Sequence, residues 1–223
     1  IGIVDNGFDA DHEDLNINLI NPNENSSQID TKDHGTHVAG IIGATANNEK
    51  GITGIVWNKE LYCADVIATK KQNNNHVSIL DKYDGIEETL KKGCKVVNLS
   101  MGAENPIENN DDVLKSGAVA AALLLYWERN IRNDFIVVQS AGNSDADSIK
   151  NGSFASITDE SINYLFDNQE SIWSRLDISL KENYTKDDIY KHFIIVGAIE
   201  KDGSGYKLCD HRKNLVQDWA SCY

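Results

Sequence analysis

"IGIVD", residues 1–5, places a short apolar run rich in β-branched residues directly before an aspartate. The run is too short for an ordinary helix and too continuous for a strand with one wet face. It reads as a strand covered on both sides, as in a parallel sheet. The pattern returns at "LYCADVIA" (61–68), "KVVNLS" (95–100), "FIVVQSA" (135–141) and "FIIVGAI" (193–199). Helical segments separate these runs. Residues 78–92 put Ile79, Tyr83, Ile86 and Leu90 on one stripe, with Gly93 as a stop. Residues 111–132 read as a long helix with Asp111 and Asp112 at its N-terminus, where negative charge is favoured. Such alternation predicts an α/β fold: a doubly wound, mostly parallel sheet with helices on both faces. The polar stretch 144–192 is expected to be a surface excursion with a helix near 159–182. With no repeat and only two prolines, residues 1–223 are read as one domain.

In a doubly wound sheet the working residues gather at the carboxyl ends of the strands. Asp5, Ser100 and Asn143 each follow or close an apolar run. Each alone also suits a turn or a cap; together with a histidine they suggest a site. That histidine lies in "KDHGTHVAG", residues 32–40. A helical zinc pair is usually spaced i, i+4, with glutamate after the first histidine. His34 and His37 are spaced i, i+3 and lack that glutamate. His37 is read as a structural histidine. His34, between an aspartate and a glycine, fits a base at the start of a helix that faces a cleft.

The chain carries a net charge of −14. This argues against nucleic acid or an anionic membrane as partner, since both need basic patches. The most apolar stretch, "GAVAAALLLYW" (117–127), is too short to span a bilayer. No signal peptide is visible in the chain, which opens directly on a strand, and a removed upstream segment is expected. Of four cysteines, Cys209 and Cys222 are the expected pair if one forms, while Cys63 and Cys94 are expected as free buried thiols. Sequons stand at Asn25, Asn151 and Asn183.

These segments resemble the subtilisin-like serine proteases. "IGIVDNGFDADHEDL" is similar to the family's strand-aspartate motif, and "DHGTHVAGIIGA" to its histidine motif. "VVNLSMG" resembles the strand beside the substrate, "VVQSAGN" the oxyanion segment, and "IIVGAIEKDG" the following strand and turn. The resemblance implies a subtilisin-like fold with Asp5 and His34 in a catalytic triad and Asn143 as oxyanion donor. It implies that backbone at Ser100, Met101 and Gly102 pairs with an extended peptide or protein substrate. It also implies a structural calcium held by Asp14 and Asn48, with carbonyls from "TANNEKGITG" (45–54); the alternative for Asp14 is a surface aspartate in a turn. A secreted or cell-surface setting goes with the resemblance.

One family element is not among the 223 residues. The nucleophilic serine belongs to G-T-S-x-A-x-P, after the V-G-A strand, and no such motif occurs here. "NGSFAS" (151–156) lacks the threonine and the proline and comes too early, so Ser153 is read as a surface-loop serine. The fold is therefore expected to be incomplete at its C-terminus. The serine is expected in a C-terminal segment or on a second chain; the alternative is a non-catalytic, peptide-binding homologue.

Overall fold

The structure is a computed structural model that describes residues 1–20, 34–66, 70–72, 75–77, 82–102, 106–142, 148–168, 172, 184–197, 199–202 and 205–208. These belong to two compact units, Ile1–Ser100 and Met101–Tyr223.

The first unit contains β1 (Gly2–Asp5), β2 (Ile17–Ile20), α1 (His34–Gly43) and β3 (Leu61–Asp65). A hairpin of β4 (Lys70–Gln72) and β5 (Asn75–Val77) follows, then α2 (Lys82–Lys91) and β6 (Val96–Leu99). Its sheet runs β2-β3-β1-β6, and every pairing is parallel. Alternation along β1 sorts the side chains between two layers. Ile3 packs with Leu61 and Cys63 against Phe8 and Ala39, on the α1 side. Val4 and Ala64 face the other way, where Gly85 of α2 lies against them. Helices thus cover both faces, as expected, and Asp5 falls on the same face as Ile3, towards α1.

The second unit contains α3 (Asn110–Asn130), β7 (Ile136–Ser140), α4 (Asp159–Asp167), α5 (Lys186–Tyr190) and β8 (Phe193–Val196). β9 (Ile199–Asp202) and β10 (Gly205–Leu208) form an antiparallel hairpin, and β7 pairs with β8 in parallel. Asn109 caps α3 by accepting the Asp111 amide at 2.9 Å, and Asp111 and Asp112 stand in its first turn as expected. Leu124, Leu125 and Trp127 are fully buried along α3.

Three expectations are corrected. "INLI" (17–20), not anticipated as a strand, adds β2 beside β3. β3 ends at Asp65, earlier than the apolar run suggested. Residues 153–157 are not a surface excursion: Phe154, Ser156 and Ile157 are buried. The polar stretch around them concealed this: inside the fold the Ser156 hydroxyl donates to Ile149 O, and the Phe154 amide donates to Gln139 Oε1 at 3.0 Å. α4 and α5 stand within the predicted 159–182 region and beyond it, but most of 169–183 lies outside the described residues. Cys63 and Cys94 are buried and outside any disulfide, as expected; Cys209 and Cys222 lie outside the described residues. No helix among the described residues is long and apolar enough to cross a membrane.

Trp127 holds the aromatic core of the second unit, with ring centroids 6.4 Å from Phe135 and 6.3 Å from Phe154. Trp127→Ala is expected to lower unfolding stability by about 3–5 kcal/mol, the usual cost of emptying such a site. Urea unfolding of the two proteins checks this.

Candidate active site

Asp5 is fully buried at the carboxyl end of β1, and His34 begins α1 with 55% of its side chain exposed. The His34 Nδ1–H donates to Asp5 Oδ1 at 2.6 Å. The same oxygen accepts the Asn6 amide at 2.7 Å, while Oδ2 is buried with no hydrogen-bond partner. Burial pushes the Asp5 carboxyl above its ordinary value, against the opposing pull of the His34 bond and the Asn6 amide. An aspartate on Nδ1 selects the tautomer that leaves Nε2 as the basic nitrogen. The exposed ring can then exchange a proton with a group outside the sheet.

The approach of α1 is fixed by the turn after β1. Asn6 O accepts the Gly35 amide at 2.8 Å, and Gly7 O accepts the Thr36 amide at 3.1 Å. Thr36 Oγ1 in return accepts the Asp9 amide at 2.8 Å. His37 is exposed on the same helix and takes no structural role in the core, contrary to expectation. Three residues were not anticipated. Asp65 ends β3 in register with Asp5, and Gly7 donates its amide to Asp65 Oδ1 at 3.1 Å. The third is Asn151, described below. For Asp65 the signal was present: "LYCAD" repeats the apolar-run-then-aspartate pattern of "IGIVD".

Ser100 follows β6 and accepts the Asn98 amide on its hydroxyl at 2.9 Å. Met101 and Gly102 are half-buried. A Cβ at Gly102 would stand 1.9 Å from Asn151 Oδ1, so the backbone there passes close to the Asn151 amide. That amide donates to Ser140 O at 3.1 Å, at the end of β7, which turns a sequon asparagine inward. Asn143 itself lies outside the described residues. Ser153 is not a surface serine: it is 1% exposed, has φ 56°, and its hydroxyl has no hydrogen-bond partner. Burial keeps it from substrate.

Asp14 is buried at 2% exposure. Its Oδ1 accepts Asn48 Nδ2 at 2.6 Å and its Oδ2 accepts the Ile52 amide at 2.9 Å. Asn48 Oδ1 accepts the Lys50 amide at 3.1 Å, which fixes the way its amide faces. Carboxylate and amide oxygens are the donor types calcium takes, but here they are turned to N–H groups. Each of these oxygens accepts one N–H group here. The Asn48 and Ile52 bonds lower the Asp14 carboxyl below its ordinary value. Its contribution to stability is therefore present above that value and lost as pH falls through the depressed one.

A buried aspartate bonded to Nδ1 of an exposed imidazole at a strand's carboxyl end is an arrangement able to hold and orient a base. Residues 1–220 match the sequence model of the Subtilase family (Peptidase_S8), and the chain belongs to that family. It is 33% identical over 152 residues to an alkaline protease of Alkalihalobacillus alcalophilus, covering 67% of this chain and 35% of that protein. It is 32% identical over 152 residues to Subtilisin Savinase of Lederbergia lenta, covering 67% and 49%. Subtilisin E of Bacillus subtilis is 31% identical over 131 residues, 55% and 32% of the two chains. The aligned regions thus span between about a third and half of these relatives.

The raised Asp5 carboxyl sets a pH prediction. A raised folded value favours the protonated form, so this contribution is full below the ordinary carboxylate range and is lost as pH rises through the raised value. Asp5→Asn removes the buried charge. Its melting temperature minus that of the wild type is expected to be more positive at pH 7 than at pH 4. A difference independent of pH would contradict this. In the loop, Asp14→Ala is expected to speed exchange of the Ile52 amide whether or not calcium is added.

Proposed function

We propose that this chain carries the base and oxyanion parts of a serine endopeptidase that hydrolyses peptide bonds, with the nucleophilic serine outside residues 1–223. The observation that carries this is the 2.6 Å bond between buried Asp5 and exposed His34 in a chain of the subtilase family. In this reading His34 Nε2 takes the proton of a serine hydroxyl as it attacks the scissile carbonyl, then returns it to the leaving amine. Asp5 holds the ring in its Nδ1–H form and stabilises the imidazolium. The Asn143 side-chain amide donates to the oxyanion of the tetrahedral intermediate. Backbone at Ser100, Met101 and Gly102 pairs with an extended peptide as an added strand. A secreted or cell-surface location goes with this reading. Calcium enters only through a test: a gain in melting temperature with calcium, lost in Asp14→Ala, would place a cation at Asp14 and Asn48.

A second reading is a peptide-binding homologue without catalysis. A fluorophosphonate probe, which labels activated serines, separates the two. The endopeptidase reading expects labelling of the intact protein at a serine outside residues 1–223. His34→Ala should reduce labelling and peptide hydrolysis by about 10³-fold or more. Peptide binding with no labelling and no hydrolysis would favour the second reading. Labelling at Ser153 would contradict both.

A further inference from the structure

Asp65 closes β3 as Asp5 closes β1, and the two are paired in register. Neighbouring residues of a sheet project to the same face, with strands about 4.8 Å apart, so both carboxyls leave the sheet towards α1. There they grip successive amides of one turn. Asp5 Oδ1 accepts the Asn6 amide at 2.7 Å, and Asp65 Oδ1 accepts the Gly7 amide at 3.1 Å. Gly7 has φ 72°, a left-handed backbone suited to glycine, so no side chain of its own anchors the turn.

The turn in its place completes α1. A helix begins with amides that lack partners, and no acidic side chain stands in the first turn of α1. The Gly35 and Thr36 amides are satisfied instead by the carbonyls of Asn6 and Gly7, at 2.8 and 3.1 Å. The first residue of that helix is His34.

We propose that Asp65 is a positioning residue for His34: by holding the Gly7 amide it fixes the turn whose carbonyls seat the first turn of α1, and so the reach of His34 to Asp5. Asp65 touches neither substrate nor the reacting atoms. The proposal rests on the reading of Asp5 and His34 as a working pair.

The test uses the intact protein with Asp65→Ala and Asp65→Asn. In the wild type the Gly7 amide should be protected from hydrogen exchange together with those of Gly35 and Thr36. Asp65→Ala should speed Gly7 exchange by about tenfold or more, broaden away the low-field His34 Nδ1 proton in NMR, and lower kcat about 10²-fold with KM within about twofold. Asp65→Asn keeps an accepting oxygen; it should retain the Nδ1 proton and restore most of kcat. An unprotected Gly7 amide in the wild type would overturn the proposal. So would an Asp65→Ala protein that keeps both the Nδ1 proton and kcat. If Asp65→Ala does not fold, wild-type Gly7 exchange and the Nδ1 proton of Asp65→Asn decide: protection with a retained proton supports the proposal, and loss of either overturns it. If no form hydrolyses peptides but the Nδ1 proton still vanishes in Asp65→Ala and persists in Asp65→Asn, the peptidase reading fails and this one stands.

Discussion

The carboxylate of Asp5 has no exposed surface, and both of its N–H donors meet a single oxygen, leaving the other bare. Burying a charge in this way is costly unless it is well paired. Much of the first unit follows from that constraint. The alternation of β1 aims Asp5 at the α1 layer. The turn after it brings the start of α1 within reach, and the glycine at 35 donates its amide to the turn without a side chain intervening. His34 is thereby held by its Nδ1 while more than half of its side chain stays in solvent.

Two carboxyls side by side at the ends of β1 and β3 deepen the constraint. Burial raises both, and each is relieved in part by amides of the same turn. An array of this kind trades stability for a fixed imidazole, as expected where perturbed groups cluster at functional sites. The Asp14 loop shows the opposite balance. There a buried carboxylate is met on both oxygens and its protonation is disfavoured, which suits a part that closes a loop.

The sequence was most legible where one physical cause dominates. Apolar runs marked β1, β3, β6, β7 and β8; β1 is apolar because it is covered on both faces, whereas β8 is apolar yet leaves Ile194 and Val196 exposed. His34 was legible because small residues and an aspartate surround it. β2 was missed because "INLI" lies at the sheet edge and is only half-buried. Asp65 was missed because Val66 and Ile67 continue the apolar run past the true strand end. The buried 153–157 segment was missed because composition does not reveal hydrogen bonds: its polar groups are mostly satisfied within the fold, and pattern reading counts them as wet. Asn143 was named from its place after an apolar strand, and that strand, β7, is present.

The central claim is that Asp5 dictates which nitrogen of His34 is basic. Nitrogen-15 NMR of the His34 ring in the intact protein, with and without Asp5→Asn, tests it most directly. The neutral ring is predicted to carry its proton on Nδ1, with Nε2 bare, and Asp5→Asn should remove that preference. A neutral ring protonated at Nε2 in the wild type, or a tautomer unchanged by Asp5→Asn, would contradict it.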